Sequence, residues 1–372
     1  MRRRLLMVGR TRYDLPLSET LAPKFDALEH ELDVRVLATA GRVTDRDERF
    51  RLYRPLPLGK LEGAAFYALL PFRVAEELRS NPADAVLVQG AQETALVLAA
   101  RALTRSRAKV ILDLHGDWRA ATRLYGAPLR RVFAPFGDLL SRMAVRQADG
   151  VRTISAYTTG LVRSEGVEPA AEFPAFMDLE PFVAEQPASL PSEPRALFVG
   201  VLERYKAIDV LAAAWPLVLA RLPGAALRIV GRGTMTETVE SLLEAFPESV
   251  SWAPSVPADA ISAELDAATV LVLPSRSEGL GRVVVEAFCR GRGVVGSRVG
   301  GIPDLVTDGQ TGLLVPPENA TALGEALVRA LGEDGLAAGF GAVARAAIEP
   351  WLATPADYAR RMRDLVEEVV NA

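Results

Sequence analysis

Short runs of Val, Ile and Leu alternate along the chain with longer stretches in which apolar residues recur every three to four positions. That is the pattern of a parallel sheet wrapped by helices. In the first half the apolar runs predict strands at residues 5–9, 34–39, 85–90, 110–114, 151–155 and 172–176. A helix is expected over 18–32, opened by a Ser18 cap and carrying Leu21, Phe25, Leu28 and Leu32 on one face. Another is expected over roughly 128–149.

The alternation breaks at 182–195, where Gln186, Pro187, Ser189, Pro191, Ser192 and Pro194 read as a linker and mark a domain boundary. It restarts with strands at 197–200, 227–231, 250–253 and 270–274 and helices at 208–222, 235–246 and 261–268. Each half therefore reads as a doubly wound α/β domain, and no internal repeat makes one a copy of the other. A last helix is predicted over 355–370, where Tyr358, Met362, Leu365, Val366 and Val369 form one apolar stripe that needs a surface. The expected division is a first domain at 1–182, a second at 183–353, and a terminal helix at 354–372 packing back on the first domain. Parallel sheets bind ligands beyond the carboxyl ends of their strands, so two such domains facing each other would place a site in the cleft between them.

With 372 residues, 49% apolar and 24% charged, both halves can build a globular core. Charge adds more to the picture. Residues 1–180 hold 27 basic and 23 acidic side chains against 16 and 24 in the remainder, so the net −4 divides into +4 and −8. Residues 101–146 carry ten Arg or Lys against Asp113, Asp117 and Asp138, a stretch that could meet an anionic surface but reads first as a solvated helix face. The single cysteine, Cys289, excludes an internal disulfide and a cysteine metal cluster, and suits a reducing cytoplasm. The apolar run at 5–9 is too short for a signal-peptide core, and no run approaches the ~20 residues of a membrane span. A cytoplasmic protein is expected, soluble or resting on the inner face of a membrane. Nucleic acid is not an expected partner, and the oligomeric state is left open.

The densest chemistry lies at 274–287, which reads as a strand end, a glycine-bearing loop and a helix start. Amides around Gly281, with the helix dipole, suit a diphosphate. Glu278 and Glu286, with seven residues between them, bracket that anion position and can accept hydrogen bonds from sugar hydroxyls on either side. Gly231, Arg232 and Gly233 form a tight turn after a strand but lack the third glycine of a dinucleotide fingerprint. His115 stands at the carboxyl end of the 110–114 strand, whereas His30 lies inside a helix and reads as structural. Asp45-Arg46-Asp47 spells an acidic metal-binding triplet, yet no apolar strand precedes it, so a solvated loop and no metal site are expected.

Downstream come Gly300-Gly301-Ile302-Pro303-Asp304 and Asp308-Gly309-Gln310-Thr311-Gly312-Leu313-Leu314. With these blocks, the glutamate pair resembles that of the retaining glycosyltransferases of family 4, whose GT-B fold is two facing Rossmann-like domains. The resemblance covers nearly the whole second half and extends more weakly into the first. It implies that Glu286 holds the ribose of a donor nucleotide, that Glu278 holds hydroxyls of the transferred sugar, and that amides of Gly279, Leu280, Gly281 and Arg282 cradle sugar and phosphate. Residues 198–207 are similar to the family's strand and loop that bring an Arg and a Lys to the diphosphate. Gly200 and Lys206 match, while Val201 stands where the arginine is usual. Arg282, and after it Arg204, are the expected replacements, with Arg232 beside Gly231 a further phosphate neighbour. His115 would touch the donor sugar.

The function expected is retaining transfer of a sugar from a nucleoside diphosphate sugar to an acceptor hydroxyl, with His115, Lys206 and Glu278 at the reaction. No cofactor beyond the sugar nucleotide is expected. The alternatives are a nucleotide-sugar epimerase of the same two-domain form and a catalytically silent sugar-nucleotide binding protein.

Overall fold

The computed structural model describes residues 2–57, 59, 62–124 and 134–372. The chain divides into two compact units, Met1–Phe176 with Ala353–Ala372, and Met177–Leu352. The division precedes the proline-rich stretch because Phe182 is already buried in the second unit. There Arg290 donates to the carbonyls of Phe182, Glu185 and Gln186.

The first unit is a parallel sheet of β1 (Arg4–Leu15), β2 (Asp33–Val43), β3 (Phe50–Tyr53), β4 (Ala85–Gln89), β5 (Lys109–Leu114), β6 (Gly150–Thr153) and β7 (Ala171–Glu172), in the order β3-β2-β1-β4-β5-β6-β7. The structure departs from the sequence pattern at three places. β1 continues past Gly9 and β2 past Thr39, because after a register shift Arg12 pairs with Thr39, Tyr13 with Ala40 and Leu15 with Val43. β3 is an edge strand of half-buried residues that the apolar runs did not reveal. β7 stops at Glu172, shortly before Pro174, which has no N–H to offer a ladder.

The first helix is Ala22–Glu31, and Ser18 does not cap it. The Ser18 carbonyl instead closes a turn with the amides of Leu21 and Ala22, and Pro23 fits the first helical turn. Within the second expected helix the described part runs Ala134–Gln147, and residues 128–133 lie outside the described residues. Asp45 and Asp47 do lie in a loop, where the Arg49 guanidinium grips both Asp47 carboxylate oxygens.

The C-terminal helix Pro355–Asn371 completes this unit. A reciprocal Thr354–Asp357 capping box starts it. Its stripe of Tyr358, Met362, Leu365, Val366 and Val369 is buried in one cluster with Phe25, Leu28 and Leu32 of the first helix and Leu5, Val36 and Ile111 of the sheet.

The second unit is a parallel sheet of β8 (Arg195–Val199), β9 (Ala226–Val230), β10 (Val250–Ala253), β11 (Val270–Leu273), β12 (Gly293–Ser297) and β13 (Gly312–Val315), ordered β10-β9-β8-β11-β12-β13. Every residue of β11 and β12 is buried, as expected of strands covered on both faces. Trp215, Phe198, Leu211, Ile229, Val270 and Leu327 belong to the core on one side. The helices Ile208–Leu219, Thr236–Ala245 and Ile261–Asp266 sit within their expected spans, up to three residues shorter. Strand order reverses between β8 and β11. A reversal of this kind opens a crevice at the carboxyl ends of the two strands.

Met362 is fully buried on the C-terminal helix, whereas Glu368 on the same helix is exposed. Met362→Ala is expected to lower the unfolding free energy by about 2–5 kcal/mol, and Glu368→Ala to change it by less than about 0.5 kcal/mol. Denaturant unfolding of the two variants checks this, and equal small effects would show that the helix is not part of the core.

Candidate active site

The loops that follow β8 and β11 meet at this switch point. Beyond Gly200, a single 3-10 turn, Arg204–Lys206, swings the chain back inward and ends at Ala207 with φ of 54°. Lys206 is 9% exposed, and its Nζ lies 2.5 Å from Oε2 of Glu278 on the loop after β11. The two residues expected at the reaction from this unit thus form one ion pair.

Arg276 fastens the two loops together. Its amide donates to the Tyr205 carbonyl at 2.7 Å, and its guanidinium reaches the Arg204 carbonyl at 2.6 Å, both Asp209 oxygens and Glu318. These bonds raise the arginine's pKa and hold the Asp209 carboxyl below its ordinary range in spite of partial burial. Arg276 lies within the 274–287 segment, but no local spacing marks its role, since its partners are 42 to 72 residues away in sequence.

Glycines bring the remaining loops against this pair. At Gly231, with φ of 146°, a Cβ would stand 1.8 Å from the Gly200 carbonyl oxygen, and at Gly233 it would stand 2.5 Å from that of Leu202. Leu202 donates to the Arg232 carbonyl at 3.0 Å, and the Glu203 carboxylate accepts from the amide and hydroxyl of Thr234. On the other side, a Cβ at Gly300, where φ is 56°, would stand 1.9 Å from the Glu278 carbonyl oxygen. A Cβ at Gly301 would stand 2.3 Å from that of Gly279, and the Gly301 amide donates to the Glu278 carbonyl at 3.0 Å. The Gly300-Gly301 block is therefore the backing of the Glu278 loop. Gly200, Lys206, Gly231, Glu278 and Gly279 are brought together, while the Arg204 and Arg232 side chains are exposed beside them.

Leu280 is buried, and Gly281, with φ of 91°, caps the helix Arg282–Cys289. No side chain caps this helix, and helix geometry gives its first-turn amides at Arg282 and Val283 no partner inside the helix. One turn on, Glu286 is 8% exposed. Burial pushes its carboxyl up, against the opposing pull of Arg282, whose Nε lies 2.6 Å from Oε1. Arg282, expected at the diphosphate, is here the partner of Glu286, with its side chain 55% exposed.

In the first unit His115 follows β5 as expected, and it has a partner the sequence reading did not assign. Its Nε2 lies 2.9 Å from Oδ2 of buried Asp113, whose Oδ1 accepts from Arg152 at 2.6 Å. Burial alone would raise the Asp113 carboxyl, but Arg152 and His115 hold it well below the usual range. His30 is exposed on its helix. Among the described residues no three His, Cys, Asp or Glu side chains form a group able to hold a metal.

The two glycines that sit at positive φ in the downstream blocks differ in what surrounds them. Gly309 has φ of 74° and nothing within 4 Å of its would-be Cβ, whereas Gly300 faces the Glu278 carbonyl. Gly309→Ala should destabilise by the left-handed penalty alone, about 1–2 kcal/mol. Gly300→Ala should cost about 1–3 kcal/mol more, because the Glu278 loop must move. Equal unfolding free energies for the two variants would refute the role of close backbone approach.

Comparison with known proteins bears on both units. A family model described as "Glycosyl transferases group 1" matches residues 193–333, and one described as "Glycosyl transferase 4-like domain" matches 18–172. The chain is 34% identical over 226 residues to a D-inositol 3-phosphate glycosyltransferase of Nocardia farcinica, covering 57% of this chain and half (50%) of the relative's length. It is 31% identical over 256 residues to a GDP-mannose-dependent alpha-(1-6)-phosphatidylinositol monomannoside mannosyltransferase of Mycolicibacterium smegmatis, covering 63% of this chain and 67% of that one. Among solved structures, the sucrose-phosphate synthase of Thermosynechococcus elongatus superimposes with a TM-score of 0.79 at 20% identity, over 98% of this chain and 99% of the other. The HepE protein of Anabaena, solved with UDP and glucose, superimposes with a TM-score of 0.68 at 16% identity, over 98% of this chain and 99% of the other. The two parallel-sheet units have the GT-B fold, and the chain belongs to the family 4, or group 1, glycosyltransferases.

Proposed function

We propose that the protein transfers a sugar from a nucleoside diphosphate sugar to an acceptor hydroxyl with retention of anomeric configuration. The observation that carries this reading is the Lys206–Glu278 ion pair at the β8/β11 switch point, followed on the same loop by the helix Arg282–Cys289, which no side chain caps and which holds the buried Glu286. In such a transfer positive charge develops at the anomeric carbon and negative charge on the departing diphosphate. Lys206 and the first-turn amides of Arg282 and Val283 are fixed positive groups suited to that leaving group. Arg282 supplies the further cation that Val201 lacks. Glu278 accepts from the hydroxyls of the sugar, Glu286 from the ribose, and His115 contacts the sugar. The phosphate itself accepts the proton of the attacking hydroxyl on the same face, and no metal takes part.

Thermal shift with UDP-, GDP-, ADP- and dTDP-sugars should single out one donor, since a ligand at about 100 times its Kd stabilises by roughly 2.7 kcal/mol. Nucleotide release from that donor should require an acceptor and survive EDTA. The acceptor panel should include inositol 3-phosphate and a phosphatidylinositol mannoside, because the names of the relatives point to them. Release of an altered sugar nucleotide without acceptor would favour an epimerase, and binding without turnover a silent binder. Glu286→Gln should weaken donor binding by about 1.5–3 kcal/mol, and Glu278→Gln should chiefly lower kcat. Equal effects on affinity and rate would contradict the division of roles.

The acceptor side extends to a membrane in this reading. Phe136, Leu139 and Met143 are exposed on one stripe of the helix Ala134–Gln147, with Arg142 and Arg146 paired to Glu165 nearby. An exposed apolar stripe with basic neighbours suits an anionic bilayer surface. Vesicles containing anionic phosphatidylglycerol should carry the protein upward in flotation at low salt, and Phe136→Ser with Leu139→Ser should abolish this. Equal flotation of both proteins, or none by the wild type, would remove the membrane from the proposal.

A further inference from the structure

His115 heads a buried polar chain that none of the roles above requires. Arg152 is completely buried in β6. Its NH1 donates to Asp113 Oδ1, and its NH2 donates to the carbonyls of Phe173 at 3.0 Å and Pro174 at 2.8 Å. The guanidinium carbon lies 4.1 Å from the Phe173 ring centroid and 5.6 Å from that of Tyr358 on the C-terminal helix. The Lys24 ammonium also lies over the Tyr358 ring, at 5.4 Å.

The orientation of the chain follows from its charges. A guanidinium stays protonated even when buried, and such a cation needs a counter-ion. Asp113 is the carboxylate in contact with it, so Asp113 is held ionised. An ionised carboxylate only accepts hydrogen bonds. The imidazole nitrogen facing it, Nε2, must therefore carry a hydrogen. In the neutral ring that leaves Nδ1 with a free lone pair. The His115 side chain is 36% exposed while that of Asp113 is 4% exposed, so the ring joins a buried anion to the open end of β5.

We propose that Arg152 and Asp113 are positioning residues for His115, fixing its tautomer so that Nδ1 accepts a hydrogen bond from a hydroxyl of the bound sugar. This deepens the reading in which His115 contacts the donor sugar, and rests on it. Arg152, anchored by the Phe173 and Pro174 carbonyls, sets where the carboxylate sits, and the carboxylate sets the ring. A sugar presenting a hydroxyl to Nδ1 is favoured over one presenting only an acceptor atom at that place.

The chain has two histidines, so His30→Gln leaves a single imidazole to observe. Two-bond nitrogen-15 correlation spectra at about pH 8.5 report which ring nitrogen bears the hydrogen, without any ligand. The spectrum of this otherwise wild-type protein should show an unprotonated Nδ1. An unprotonated Nε2 would overturn the proposal, whatever any other variant does. In Asp113→Asn the amide oxygen stays with Arg152, so its NH2 turns to His115. Nδ1 should then become the protonated nitrogen, and kcat for the donor selected by the panel should fall at least about tenfold. Asp113→Asn combined with His115→Ala should be no slower than His115→Ala alone. An unchanged tautomer in Asp113→Asn, or added losses in the double variant, would refute positioning. If His115→Ala leaves turnover intact, the contact with the sugar is wrong instead, and the spectra still decide how Asp113 sets the ring.

Discussion

Main chain lying directly on main chain is the constraint on which the second unit's site depends. The loops after β8 and β9 touch where Gly231 and Gly233 meet the carbonyls of Gly200 and Leu202, and the loops after β11 and β12 touch where Gly300 and Gly301 meet those of Glu278 and Gly279. Side chains could not bring loops this close, because a single methyl would occupy the space of a carbonyl oxygen. Each of the two loops that carry Lys206 and Glu278 is thus backed by a neighbouring loop at main-chain distance, so the ion pair between them stands on two stacked layers of backbone.

Arginines then hold what the glycines bring near. Arg276 ties the Lys206 loop to the Glu278 loop, and Arg290 holds the segment from Phe182 to Gln186. Arg292 gathers the carbonyls of Leu265, Asp266 and Ala188. Each guanidinium offers five donors in a rigid plane, so one side chain can satisfy several carbonyls of irregular chain that no ladder serves. Irregular segments consequently behave as extensions of the sheet rather than as free loops.

The sheet and the ion pair were legible in the sequence to different degrees, for a physical reason. Strands such as 85–89 and 270–273 announce themselves because burial on both faces demands nearly unbroken apolar runs. β3 and the far end of β1 lie where the sheet meets solvent or shifts register, and there pairing is decided by the neighbouring strand. At the candidate site, Glu278, Glu286 and Lys206 could be picked out because they fall in the loop and helix-start pattern by which the sequence resembles family 4. Arg276 with Asp209, and Asp113 with Arg152, could not, since partners 67 and 39 residues apart leave no local spacing to read. Ser18 shows the opposite error, a plausible local cap overruled by a turn and by Pro23.

The return of the C-terminal helix makes the first unit discontinuous in sequence while the second is one uninterrupted stretch. On a ribosome, therefore, the unit whose synthesis begins first is the one completed last. Its helix Ala22–Glu31 and strands β1 and β2 leave the exit tunnel with Phe25, Leu28 and Val36 still uncovered, and the stripe that shields them emerges only after residue 355. At roughly 5–20 residues per second, that exposure lasts about 10–40 s beyond the first unit's own synthesis. The first unit's core is therefore the last that the nascent chain can complete, and its N-terminal half offers a holdase chaperone the longest opportunity.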